Sequence, residues 1–162
     1  MLKHYASVAL LLGLASPPSF AAVPGQSTES AITSQIRSDV AEDIAGINAH
    51  NPAEATAHEA DDTVFSECGR YVSFGRASYQ QGLSMAFEHN PEWHLGLIDE
   101  AVVVAKSENQ AVYRSTYNED SMRDGVPYTH QGDYVAGFRR DRDGVWRIHW
   151  STVCWRSPSH KK

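Results

Sequence analysis

Apolar residues at Ile32, Ile36, Val40, Ile44 and Ile47 recur at three- and four-residue intervals, which predicts one amphipathic helix over 32–49. Asn51-Pro52 then opens a second, shorter helix over 51–60, since Asn caps well and Pro is tolerated at the first helical position. Residues 63–68 and 71–74 read as short strands around Gly69, and 77–89 as a third helix stopped by Pro91. Strand-like runs follow at 93–105, at 110–117 and in a hairpin over 132–155, whose first strand could begin as early as Tyr128. Turn formers at 141–144 (Asp-Arg-Asp-Gly) sit where that hairpin must reverse. Helices first and long strands later define an α+β domain with helices packed on one face of an antiparallel sheet. A parallel sheet is excluded by the order of elements, and no Gly-rich phosphate loop is present.

Alternation along the hairpin puts Tyr134, Ala136, Phe138, Trp146, Ile148 and Trp150 on one face, assigned to the interior, and Arg139, Arg147 and His149 on the other. A one-residue shift of register would exchange the faces and turn His149 inward.

The N-terminus carries Lys3, an apolar run over 8–14, a Pro17-Pro18 break and small residues ending at Ala21, the three-part pattern of a secretory signal peptide cleaved after Ala21. The expected layout is a signal peptide over 1–21, a loose tail over 22–30, one domain over 31–157 and a short tail over 158–162. The location implied is the periplasm or the exterior. Loss of Lys3 with the leader changes the net charge from −6 to −7, which repels phosphate backbones and excludes nucleic acid as a partner. After cleavage no membrane association is expected. Cys68 and Cys154 are the only cysteines, and in an oxidising compartment they either bond or remain as two small buried side chains.

Three motifs in order, Ile44-Ala-Gly-Ile-Asn-Ala-His-Asn51, Ala60-Asp-Asp-Thr-Val64 and Asp143-Gly144-Val-Trp-Arg-Ile148, resemble the SnoaL-like branch of the nuclear-transport-factor-2-like superfamily, which includes ketosteroid isomerases and polyketide cyclases. The resemblance spans nearly all of the chain beyond the leader. It implies a curved sheet wrapped around three helices into a cone, with an apolar pocket at one end and a homodimer built on the convex face. It also places Glu67 where the isomerases hold their general base. Asp43 falls at the isomerase's oxyanion tyrosine and Ala136 at its oxyanion acid, so steroid isomerisation by that mechanism is not implied.

Glu67 in an apolar cone would act as a base, whereas on an exposed strand edge it is only a surface charge. His58 and Glu59, on the second predicted helix, either line the pocket, where His58 would relay a proton to or from Glu67, or face solvent. Trp93, Tyr113, Tyr134 and Trp150 form either a ligand-contacting wall or ordinary core. The histidines show no metal-ligand spacing and the serines no nucleophile turn, so neither a metal nor any other cofactor is expected. Glu119-Asp120 reads as a solvated turn. Two functions remain: a pocket for a small, largely apolar molecule, with proton transfer at Glu67, or a non-catalytic interaction domain.

Overall fold

The computed structural model describes residues 26–123 and 125–156; the expected signal peptide, residues 22–25 of the tail and the C-terminal segment from 157 lie outside them. Helix α1 (Gln26–Asn48) is followed by a single 3-10 turn (Glu54–Thr56), strands β1 (Glu59–Glu67) and β2 (Arg70–Phe74), and helix α2 (Arg76–His89). Four long strands complete the chain: β3 (His94–Val104), β4 (Gln110–Arg123), β5 (Val126–Arg140) and β6 (Trp146–Trp155). They form one six-stranded sheet in the order β2-β1-β6-β5-β4-β3. Every pairing is antiparallel except β1 on β6, which is parallel. Among the described residues no helix is long and apolar enough to cross a membrane.

Strand β4 runs on to Arg123 instead of ending near Tyr117, β1 begins at Glu59 rather than 63, and the helices differ at two further places. Helix α1 begins at Gln26 rather than near residue 31, and Glu29 in its first turn complements the helix dipole. The helix expected over 51–60 is only the turn Glu54–Thr56, so two helices, not three, sit inside the sheet. Its remainder is drawn into the sheet: Ile148 donates its amide to the His58 carbonyl at 2.8 Å, and Glu59 pairs with Ile148. Strand pairing here overrides the helical preference of Pro52–Glu54–Ala55.

The sheet curls because its strands carry irregularities, at Phe65/Ser66, Leu97/Asp99 and Gly137/Phe138. Each extra residue bends its strand and increases the local twist. The inner face closes over α1, where Ile32, Ile36 and Val40 pack on Tyr113, Ala136, Phe138, Trp146 and Ile148. Helix α2 covers the other end, with Leu83 and Phe87 against Ala55 and the partly buried Trp93. The product is a cone-shaped α+β domain.

The bulge at His149 corrects the expected hairpin faces. Phe138 pairs with Ile148 but Gly137 with Trp150, so His149 is the extra residue and the alternation reverses beyond it. Trp146 and Ile148 point inward before the bulge, and Ser151 and Val153 after it. Trp150 is turned to the convex face, 45% exposed, lying over Gly137, where an added Cβ would come within 2.1 Å of the indole. His149 also stays outside, bonded to Asp141 at 3.1 Å and facing Asp62 at 3.3 Å.

Cys68 and Cys154 are bonded, joining the β1–β2 turn to the end of β6 across a sequence separation of 86. In the chain-entropy account a loop of that length stabilises the fold by about 4 kcal/mol.

The motif at 44–51 acquires a structural reason. Gly46 is where α1 meets the 3-10 turn: a Cβ there would lie 2.3 Å from the Ala55 amide nitrogen. Asn48 exchanges two hydrogen bonds with the backbone of Leu95, at 3.0 and 2.7 Å, and His50 Nε2 bonds the Trp93 carbonyl at 2.9 Å. Gly46→Ala should therefore destabilise the protein by about 2 kcal/mol in urea denaturation, although helix propensity alone favours Ala by roughly 1 kcal/mol.

Candidate functional site

Between the C-terminal half of α1, helix α2 and the inner face of the sheet lies a cavity of about 500 Å³. Its wall is mainly apolar, with Ile44 and Ile47 from α1, Leu83 from α2, and Phe65, Leu95 and Val153 from the sheet. The exposed Val72, Gln81 and Met85, which also line it, form its mouth. Aromatic rings supply much of the remaining surface; Phe65 stacks on Tyr79 with centroids 4.6 Å apart.

Polar groups gather at one end. Glu59, 3% exposed, reaches the cavity from the first residue of β1 and accepts a 2.6 Å hydrogen bond from Thr63. Burial pushes its carboxyl up to about 8, only partly countered by Thr63. Glu59 is thus largely protonated at neutral pH and available as a hydrogen-bond donor.

Asp43, on α1, also lines the cavity and meets His58 Nδ1 at 2.8 Å. Burial raises the Asp43 carboxyl to about 6, with His58 acting in the opposite sense. The Asp43 bond raises His58 against the effect of burial, and Asp39 and Glu42 each lie 3.6 Å from its Nε2. Two acids and a histidine therefore stand together at this end. The Tyr79 and Tyr134 phenols, both pushed up by burial and further by the neighbouring Glu59, stay neutral beside them.

At the other end Glu67 faces the cavity near Trp93, Tyr117 and Trp155. Behind it Glu119, expected in a solvated turn, is buried in β4, 3.9 Å from His130. Burial and the Glu67 charge raise Glu119 to about 7.

The structure brings Glu59, Glu67, Trp93 and Tyr134 to one cavity. His58 sits behind its wall on Asp43, in the loop before β1 rather than on a helix, and does not meet Glu67. Tyr113 and Trp150 are not in the wall. Tyr113 is fully buried in the α1 core, its hydroxyl donating to Glu100 at 3.2 Å. Trp150 borders a separate depression of about 410 Å³ on the convex face, with Val103 and Phe138. The sequence reading missed Tyr79 and Tyr117, and treated Asp43 only as a lost oxyanion donor. An acidic residue among the apolar positions of α1 was the available signal for Asp43. Among the described residues no group of side chains could hold a metal ion.

No protein-family model matches this chain, and no curated protein matches it. Solved structures do. A ketosteroid isomerase-like protein of Erwinia carotovora atroseptica is 18% identical with a TM-score of 0.61, over 78% of this chain and 97% of that one. A nuclear transport factor 2-like superfamily protein of Salmonella enterica is 14% identical with a TM-score of 0.70, over 82% and 96%. An NTF2-like protein with a cystatin-like fold from Novosphingobium aromaticivorans is 15% identical with a TM-score of 0.66, over 86% and 95%. The chain has the nuclear-transport-factor-2-like fold, shared with ketosteroid isomerase-like proteins.

The raised Glu59 carboxyl gives a sign for stability against pH. The unfolded chain loses this proton near the ordinary value of 4.5 and the folded chain near 8, so stability falls as pH rises between them and levels off above. Relative to Glu59→Gln, the native chain should lose a few kcal/mol between pH 5 and pH 8. Urea titrations of both proteins at the two pH values check this, and equal pH dependence would refute it.

Proposed function

We propose that the chain is an exported protein whose cone holds one small, largely apolar molecule, with that molecule's polar group at Glu59. The observation that carries this reading is the cavity itself: about 500 Å³, walled by aliphatic and aromatic side chains, with a protonated carboxyl at one end. Pockets of this size and mixture are the usual form of small-molecule sites. The Cys68–Cys154 bond and the leader-like N-terminus support export.

A second reading, proton transfer, is favoured by the chemistry of the Glu59 end. A neutral carboxyl beside phenols is suited to donate to a ligand carbonyl, as the oxyanion groups of ketosteroid isomerases do. The Asp43–His58 pair, holding a proton that burial makes readily exchanged near neutral pH, would accept or return the one that moves. In this reading Glu59 is the acid, and Glu67, at the far end, serves as a base only for a ligand that spans the cavity.

Gly82 offers a direct test. It lines the cavity from α2, and a Cβ added there meets nothing within 4 Å. Gly82→Leu should keep the fold while occupying the space. Thermal shift with phenylbutanol as a neutral probe should raise the melting temperature of the native chain, and the variant should lose most of that rise. An equal rise in both would remove the cavity as the site. For the second reading, deuterium exchange beside the carbonyl of phenylbutanone, followed by NMR, should be accelerated by the native chain and fall at least about tenfold in Glu59→Gln. No acceleration would leave binding alone.

A further inference from the structure

We infer that the molecule held in the cone is a cation, with an aromatic or aliphatic body and a protonated amino group directed at Glu59. This rests on the ligand-binding reading above and narrows it to a class.

Charge in the wall is of one sign. Asp43, Glu59 and Glu67 line the cavity, and among the described residues no Lys, Arg or His does. Two bases influence Glu59, Arg76 and His58, and both are already paired, Arg76 with Asp61 and His58 with Asp43. An anionic ligand would therefore find no basic side chain in the wall, and the Glu67 carboxylate would repel it, in a setting that weakens screening. Six rings, Phe65, Tyr79, Trp93, Tyr117, Tyr134 and Trp155, face the same space, and their π-faces attract cations.

An independent polar group also points to a missing partner. Ser73 is 6% exposed and lines the cavity, yet its hydroxyl has no hydrogen-bond partner. A buried hydroxyl left unpaired is costly, and an ammonium N–H would satisfy it.

Cation binding and protonation are then linked. The titratable groups around Glu59 are Asp43 from α1, His58 before β1, Arg76 and Tyr79 from α2 and Tyr134 from β5, while Asp39 and Glu42 of α1 act on His58 behind the wall. An ammonium group brought to Glu59 favours its ionised form, so binding near neutral pH should expel the Glu59 proton. A neutral ligand, hydrogen-bonded to the protonated acid, would expel none.

Isothermal titration of the purified chain with phenylbutylamine, phenylbutanol and phenylbutyrate, in phosphate and in Tris buffer, separates these cases. The amine should bind at least about tenfold more tightly than the alcohol, with the acid weakest. Its heat should differ between buffers by the amount expected for close to one proton released. Glu59→Gln should abolish the buffer dependence and reduce the amine's advantage over the alcohol. If the alcohol or the acid equals the amine and Gly82→Leu blocks them all, the charge inference falls while the cavity remains a site. If none of the three binds, both fall.

Discussion

The bond from the Ile148 amide to the His58 carbonyl, with the Glu59–Ile148 pairing beside it, decides most of what this domain can do. It stops the chain after the 3-10 turn from continuing as a helix and begins the parallel seam between β1 and β6. It places the first side chain of β1, an acid, under the sheet and within reach of Thr63. Immediately beyond it, His149 is extruded as a bulge, and the inward face of β6 passes from Trp146 and Ile148 to Ser151 and Val153. Small and mid-sized inward residues beyond the bulge leave room that an inward Trp150 would have taken.

Electrostatics at the Glu59 end follow from that placement. A carboxyl removed from water either finds a counter-charge or keeps its proton, and Arg76 is occupied by Asp61. Glu59 keeps its proton. Asp43, one layer away on α1, does have a partner in His58, and the two share the charge between helix and sheet. Two neighbouring acids in one apolar setting thus take different states because one has a histidine and the other a hydroxyl. That difference gives an otherwise apolar cavity a donor and an exchangeable proton at the same end.

The far end of the cavity is held by other means. Asn48 and His50 pin the exit of α1 to the start of β3, and so locate Trp93 in the cavity wall. The disulfide holds the turn that carries Glu67 to the last residues of β6. This end of the wall and the β1–β6 seam are fixed separately, and α2, which carries mouth residues, packs mainly through Leu83 and Phe87.

The amino-acid sequence by itself determined α1, α2, the six strands and the tight hairpin turn, because apolar periodicity and turn chemistry act over a few neighbouring residues. It also singled out Glu59, Glu67, Trp93 and Tyr134, which face one cavity. It did not determine the fate of residues 51–60, whose local preference is helical but whose backbone groups are claimed by β6. Nor did it reveal the bulge at His149, since alternation carries no mark of an inserted residue, and Trp150 was assigned to the wrong face for that reason. Tyr113 satisfied every local sign of a pocket residue, yet packing against α1 buries it elsewhere. The meeting of Asp43 with His58, and the isolation of Glu59 from any free base, are long-range events of packing. Only the tertiary structure decided them, because the protonation of a buried acid depends on which groups the fold brings beside it and which it leaves paired elsewhere.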